Sequence, residues 1–422
     1  MKLSVACNFD PELPAQLEPY PVYEVYGKLT SDYFGGGRPS FYLPLVDRKQ
    51  LESTVATVRA SGIEFNYLIN SVCMANMELT REGQHKLREL LDWLCEIGVT
   101  SVTVASIYML RTIKRCYPRL KVRISAHRFT DNARKSRFWE DNGADCIVVS
   151  EVNIYREFKV LEAIRRSVKC DLQLIVNNSC RQDCAIACAH ASAMNHASQQ
   201  GSKGFPLDYC SVVCLDFRLR EPVNYLRANW IRPEDLHLYE DMGYDNFKIV
   251  ERNTPTPLLV ERTRAYAERR YDGNLLDLVW NVAYPPDKFN GRAKDAYSAG
   301  RFLRYFMRPR TVNMLRFLQV VDMGKHQGIL FPRRPGKHFI EIPNRELDGF
   351  IERFRHTSCL DQVCEECRYC HEWAARVVKI DPEWETKART QYDNLFEDLH
   401  TGAFWEPIAT TAVSKLRQVT GL

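Results

Sequence analysis

Residues Cys146–Val176 read CIVVSEVNIYREFKVLEAIRRSVKCDLQLIV, and this stretch decides the fold. It opens with the short β-favouring run Cys146–Val149. The segment Tyr155–Ser167 follows, with Phe158, Leu161 and Ile164 at helical spacing, and then a second apolar run, Leu172–Val176. Strand, amphipathic helix and strand in this order make a unit whose two strands pair in parallel. Working outward, six more runs of the same kind occur at Leu3–Cys7, Tyr23–Tyr26, Phe65–Ile69, Ser101–Ala105, Lys121–Ser125 and Phe247–Val250. Helical spacing also marks Arg48–Ala60 and Glu82–Ile97, the latter through Leu87, Leu90, Leu91 and Leu94. Eight strands alternating with helices predict an α/β chain, a (β/α)8 TIM-type barrel over residues 1–255. The rival is an open doubly wound sheet. It normally carries a glycine-rich phosphate turn after its first strand, and Asn8-Phe9-Asp10-Pro11 is not one.

Barrels of this type place their chemistry at the C-terminal ends of the strands. The residues there are Asn8, Lys28, Asn70, Ser106, His127, Glu151, Asn177 and Arg252. The longest connection, residues 177–245, carries Cys180, Cys184, Cys188, Cys210 and Cys214, and loops this long inside a domain are usually functional. The first three of these cysteines recur at four-residue steps, one face if the segment is helical. Thiolates gathered in this way repel one another unless a cation shares their charge, so the group predicts a metal or iron–sulfur site over the barrel mouth. The plainer reading is that the cysteines pack as small hydrophobes; Arg181, Asp183 and His190 in the same run speak against it.

Each mouth residue also has a structural reading. His127 either bonds a backbone carbonyl or binds a ligand. Glu151 either favours the following helix N-terminus or acts as a functional carboxylate. Arg252 suits a substrate carboxylate or phosphate through its planar fork, and equally an ion pair with Glu251 or Glu151. The trio Gly35-Gly36-Gly37 ahead of Arg38 lets the backbone approach a ligand closely, or simply turns.

Composition narrows the classes. The 422 residues suit a large barrel with an appendage, and 45% hydrophobic residues supply its core. A net charge of +5 admits an anionic ligand or RNA without arguing for either. No apolar run reaches the length of a membrane span, and the N-terminus lacks the apolar core of a signal peptide. With 15 cysteines, nine of them in two tight groups, the expectation is metal ligation in a reducing cytoplasm rather than disulfides.

Beyond the barrel, residues 256–330 read as a helical extension. Its basic, aromatic part at 290–325 has Arg301, Arg304, Arg308 and Arg310 among Phe302, Tyr305 and Phe306. That interleaving fits either nucleic acid or a helix whose arginines snorkel over a core face. Residues 331–422 form a cysteine-rich C-terminal portion, with a strand pair expected around His338–Ile342 and a helix at Glu372–Val378. Its motif is Cys359-x4-Cys364-x2-Cys367-x2-Cys370. Four thiols so close suit one [4Fe–4S] cluster; zinc usually takes two pairs separated by a longer span and is the alternative.

The chain resembles the peptidase U32-like family over about residues 1–255. The resemblance is carried by Tyr26-Gly-Lys-Leu with Gly35-Gly-Gly-Arg, by residues 138–151 ending in Ser150-Glu151, by Val176-Asn-Asn-Ser-Cys-Arg-Gln-Asp-Cys184, and by Phe247-Lys-Ile-Val-Glu-Arg252. Members of that family include iron–sulfur-dependent hydroxylases of ubiquinone precursors and of tRNA or rRNA bases. The resemblance implies a barrel-mouth [4Fe–4S] cluster and an oxygen-independent hydroxylation that uses prephenate as hydroxyl donor. Arg38 or Arg252 would then hold the donor's carboxylates, with Lys28, Asn70 and Asn177 also facing substrate. His127, His190 or Glu151 would move protons. Where the branch has Pro after the second cysteine, this chain has Ala185, while His190 stands at the expected distance. Cysteine spacing is tighter here than in the hydroxylases, so Cys188 and Cys210 both compete for the fourth ligand position. The acceptor expected is a small molecule, a peptide or an RNA base. The other class is a non-catalytic iron–sulfur subunit that relays electrons to a redox partner. No His-Glu-x-x-His motif and no Ser–His–Asp set at a recognisable spacing argues for a protease.

Overall fold

Strands β1 (Lys2–Ala6), β2 (Val22–Gly27), β3 (Glu64–Ile69), β4 (Ser101–Val104), β5 (Lys121–Ile124), β6 (Cys146–Val148), β7 (Asp171–Ile175) and β8 (Asn246–Ile249) pair in sequence order. Every pair is parallel, and β8 closes on β1 through Lys2–Asn246 and Val5–Ile249. The expected TIM-type barrel is therefore the fold, with each strand within one residue of its sequence-read limits at either end. This computed structural model describes residues 1–40, 43, 45–200, 208–279, 313–326 and 339–406.

The helices of the outer layer are α1 (Leu13–Leu17), α2 (Arg48–Ala60), α3 (Arg81–Glu96), α4 (Ile107–Cys116), α5 (Ala133–Asp141) and α6 (Phe158–Ser167). Side chains that satisfy the free N–H groups of the first turn start them: Asp47 for α2, Thr80 for α3, Ser106 for α4 and Asn132 for α5. Helix α6 begins three residues after Tyr155, because that tyrosine is taken inward. Its hydroxyl donates to the Val149 carbonyl at 3.3 Å and accepts from the Ile175 amide at 2.7 Å. The long β7–β8 connection contains α7 (Ala187–His196), α8 (Tyr209–Arg220), α9 (Val223–Leu226) and α10 (Leu236–Glu240). After β8, α11 (Thr256–Glu268) packs on α1 and β1 and covers the seam of the barrel, and α12 (Leu275–Val279) follows.

Strand side chains alternate between two environments. Leu3, Val5, Val25, Phe65, Val102, Val122, Ile147, Leu172 and Phe247 are fully or almost fully buried and belong to the main apolar core. Their sequence neighbours Ser4, Glu24, Asn66, Ser101, Arg123, Gln173 and Asn246 are just as buried but polar. They bond one another across the barrel. Glu24 accepts from Ser4 at 2.7 Å, Ser101 at 3.2 Å and Asn66 at 3.3 Å, and pairs with Arg123 at 2.5 Å. Strands alternate with period two, so one set faces the helices and the other the barrel axis. The axial layer of these strands, expected to be rich in Val, Ile or aromatics, is a polar network, in which Arg123 Nε, Gln173 Oε1 and Asn246 Nδ2 have no hydrogen-bond partner among the described residues.

A second, smaller core joins α8 to the helices Met314–His326 and Pro382–His400 through Val212, Leu219, Phe317, Val320, Trp384 and Tyr392. Near it, where a strand pair was expected around His338–Ile342, one strand, Ile340–Glu341, is found, and its antiparallel partner is the distant Lys379–Ile380. The arginine and aromatic residues singled out at 301–310 lie outside the described residues. Among the described residues no helix is long and apolar enough to cross a membrane.

Candidate active site at the barrel mouth

The C-terminal ends of the strands open into a cavity of about 230 Å³. Its floor is the last inward layer of the barrel, Tyr26, Leu68, Thr103, Val148, Ile175 and Lys248. Around the rim stand Arg38, Asn70, His127, Glu151, Glu251 and Arg252, and the β7–β8 connection roofs it with His190, Met194, Ser211 and Arg218. Six of the residues proposed from sequence thus share one space: Arg38, Asn70, His127, Glu151, His190 and Arg252. Lys28 and Asn177 are absent from its lining. Lys28 is buried against Asp32 at 2.9 Å. Asn177 braces the backbone, accepting from the Val250 amide at 2.8 Å and donating to the carbonyls of Val250 and Leu278. Asn8 likewise ties to Thr254 and Thr256, and Ser106 caps α4.

The glycine loop serves the protein first. Gly35, Gly36 and Gly37 all have positive φ. Their amides donate to Asp32 at 2.6 Å, Ser198 at 2.7 Å and Asn195 at 3.1 Å. These N–H groups clamp the loop to the end of α7 and are spent within the chain. A Cβ on Gly36, at φ 129°, would stand 2.6 Å from the Asn70 side-chain Oδ1 and 2.8 Å from its backbone nitrogen. Gly36→Ala is therefore expected to destabilise by about 2–4 kcal/mol, combining backbone strain with overpacking. Chemical denaturation would measure it; a loss below the error of that experiment would show that the loop relaxes freely.

Three groups can handle protons. Burial pushes the Glu151 carboxyl up to about 7, with Arg38 and Lys248 opposing, and its Oε2 has no hydrogen-bond partner among the described residues. Burial, and then the charges of Arg38, His190 and Lys248, push His127 down to about 4, so its ring is neutral. The Asn195 amide fixes the tautomer. Its Oδ1 accepts from Gly37 at 3.1 Å, so its Nδ2 faces His127 Nδ1 at 3.2 Å, which leaves the ring proton on Nε2. His190 Nε2 sits 2.8 Å from Asp208 and 3.3 Å from the Ser211 hydroxyl, which itself donates to Asp208 at 2.6 Å. Serine, histidine and aspartate do meet here, unforeseen because Asp208 and Ser211 are remote in sequence from His190. They do not form a nucleophilic relay, in which aspartate holds one ring nitrogen and serine the other. Here both use the same nitrogen.

Four sulfurs line the cavity: Cys180, Cys184, Cys210 and Cys214. Cys188, on α7, is exposed and is not among the lining residues. The expectation that Cys180, Cys184 and Cys188 share a helix face is corrected, since α7 starts only at Ala187. Cys180 and Cys184 lie in the preceding loop, where Cys180 donates its amide to Asn178 and accepts from Asn229. All 15 cysteines are free thiols. Burial pushes Cys180 up to about 12, with Glu151 and Cys214 adding to it and Arg218 and Arg38 opposing. Burial raises Cys210 as well, and Asp208, Cys184 and Cys214 add to it. The sulfurs are thus close enough to repel, and Arg218, 3.2 Å from the Cys214 sulfur, supplies compensating charge. Among the described residues, no three His, Cys, Asp or Glu side chains are grouped as ligands of a metal ion.

The peptidase family U32 model matches residues 44–270. The chain belongs to peptidase family U32. An uncharacterized protease of Methanocaldococcus jannaschii is 26% identical over 358 residues, covering 85% of this chain and 89% of that protein. A tRNA hydroxylation protein P1 of Bacillus subtilis is 26% identical over 117 residues, 27% of this chain and 26% of its own. Among solved structures, a U32 peptidase, Mk0906, aligns over 60% of this chain and 92% of its own, with 20% identity and a TM-score of 0.46.

The C-terminal thiols lie beyond the part that the U32 family model matches. They sit on the link between Glu151 and α6. Glu157 accepts from the Cys359 amide and the Ser358 hydroxyl, both at 2.7 Å. Next to it, Arg156 is fully enclosed by the rings of Trp230, Phe350 and Phe354 at 4.6–5.1 Å. Arg353 donates to the Cys367 sulfur at 3.3 Å. Cys364 is exposed, while the other three are half-buried. Burial and the neighbouring sulfur charges hold Cys359 and Cys370 up. Helix Tyr369–Val377, which follows, packs on α9, so this loop and the barrel roof form one body of contacts.

Proposed function

We propose that this U32 protein is an oxygen-independent redox enzyme, a hydroxylase or related transferase, with an iron–sulfur cluster at its barrel mouth. The observation that carries the reading is the convergence of four free thiols and three proton-handling groups on one cavity. Cys180, Cys184, Cys210 and Cys214 fit a cluster's ligand chemistry, and Arg218 and Arg38 would offset its negative charge. When bound, such a cluster supplies electron transfer, and Lewis acidity if one iron keeps an open position. The protein's own part is defined by its groups. Glu151 holds a proton near neutral pH, His127 offers an Nε2–H donor, and Arg252 with Arg38 favours an anionic reactant. A dicarboxylate donor such as prephenate suits that rim, and the name of the B. subtilis relative supports hydroxylation of a nucleobase as one acceptor chemistry.

Protein purified without oxygen should carry iron and acid-labile sulfide in equal amounts and give a cluster EPR signal on reduction. Zinc at the C-terminal motif with no iron at the mouth would overturn the proposal. The C-terminal thiols fit a second cluster or a zinc ion that holds the loop to Glu157. Cys367→Ser should lower the thermal midpoint by several degrees, and a strong chelator should do the same to the parent. An unchanged midpoint in both would show that no metal staples this region.

A further inference from the structure

Lys248 is a buried amine with no salt bridge among the described residues. It lies on β8 facing the barrel axis, 6% exposed, and its side chain lines the floor of the mouth cavity. No hydrogen bond or ion pair engages its Nζ among the described residues. It lies over the face of Tyr26, 3.7 Å from the ring centre, and that ring is fixed by its hydroxyl bond to the Ile249 carbonyl at 3.1 Å. The buried carboxylate of the axial layer, Glu24, already pairs with Arg123 and accepts three further bonds. Burial pushes the amine down to about 8, and the charges of Arg123 and Arg252 work in the same direction. Desolvation beside other cations is the arrangement that turns a lysine into a nucleophile toward carbonyls.

We propose that Lys248 binds a 2-oxo acid covalently, as an imine on the floor of the mouth, with Arg252 holding the acid's carboxylate. Arg252 also lines the cavity, is 3% exposed, and its Nη2 has no partner among the described residues. The step balances. The Nζ lone pair makes the new C–N bond, and the carbonyl oxygen takes one proton from the amine and one from Glu151. It leaves as water, so the product is a protonated imine beside an ionised Glu151. Glu151 faces the same cavity with a free carboxyl oxygen. The inference rests on the mouth being the substrate site, and it requires no iron.

Cyanoborohydride trapping tests it. Full-length protein is incubated with pyruvate and sodium cyanoborohydride at near-neutral pH, where Glu151 keeps part of its proton, and peptide-mapped by mass spectrometry. The reduced pyruvate adduct should fill Lys248 well before any surface lysine, and Lys248→Arg should abolish it. If Lys248→Arg fails to fold, the map of the parent decides alone; Lys248 unlabelled, or labelled no faster than surface lysines, overturns the proposal. Acetone, a carbonyl without a carboxylate, probes the other half. Arg252→Gln also removes a cation that lowers the amine, so it should slow acetone trapping somewhat and pyruvate trapping about tenfold more. Equal slowing of both would remove Arg252 from the site. Iron-free protein that still labels at Lys248 would sink the hydroxylase reading and leave this one standing, and iron-replete protein without label would do the reverse.

Discussion

Cys214→Ala, purified without oxygen, is expected to lose one cluster's worth of iron and sulfide, with turnover down by about a thousandfold or more; Cys188→Ala should change neither. The contrast follows from position. Cys214 lines the mouth, and its sulfur accepts from Arg218, which also bonds the Ser179 carbonyl beside Cys180. Cys188 lies on the exposed side of α7. Losing a ligated metal removes several kcal/mol of transition-state stabilisation, and each factor of ten is about 1.4 kcal/mol. Both variants should keep the parent's circular dichroism, because neither sulfur belongs to the main barrel core. Cys180→Ala, Cys184→Ala and Cys210→Ala should follow Cys214→Ala. Iron counts test the sulfur set without any substrate. Equal iron loss from Cys188→Ala, or none from Cys214→Ala, would show the ligand set to be wrong. Cluster loss with unchanged turnover in Cys180→Ala, Cys184→Ala, Cys210→Ala and Cys214→Ala would leave a cluster that plays no part in catalysis.

The outline of the barrel was legible because each strand sets branched or aromatic side chains against the helices. Val102 and Val104, Val122 and Ile124, or Leu172 and Leu174 mark their strands without ambiguity. The same strands carry a second message that went unread. In KLSVA, EFNYLI, KVRI, DLQLI and NFKI the alternate positions are polar. Period-two polarity in a strand fully enclosed by helices means a polar axis, and it is the signal that would have found Arg123 and Lys248. The mouth was legible in part. Strand ends place Asn70, His127, Glu151 and Arg252 correctly, because a residue just past a strand has few places to go. Whether it turns into the cavity or back onto backbone depends on packing that strand position does not encode, as Lys28 and Asn177 show. Four-residue spacing misled for the cysteines. It implies a shared face only on a helix, and Asp183, at φ 50°, breaks the chain between Cys180 and Cys184. Hydrogen-bonded sets such as His190 with Asp208 and Ser211 depend on where a long loop folds back, which local pattern does not report.

Arg123→Met is expected to destabilise the barrel by about 3–5 kcal/mol, because it strands the Glu24 carboxylate on the axis. Both side chains are at most 5% exposed and lie 2.5 Å apart. Ser4, Asn66 and Ser101 would still donate to Glu24, but no cation would remain paired with it. Adding Glu24→Gln removes the stranded charge and keeps a carbonyl oxygen for the same donors. The double variant should therefore regain most of the loss, since breaking one half of a buried pair costs far more than replacing both. Denaturant midpoints at equal slope would read the difference. The pair also governs Lys248. Glu24 is the strongest influence that favours its charged form, while Arg123 opposes that form. In Arg123→Met the unpaired Glu24 carboxylate becomes the natural counterion of Lys248, which should raise the amine's basicity and slow cyanoborohydride trapping. In the double variant neither charge remains, and trapping should recover along with stability. If the single variant traps pyruvate as fast as the parent while losing the predicted stability, the axis supports the barrel but does not tune the amine. If both variants are equally unstable, the loss comes from the missing Arg123 packing and not from a stranded charge.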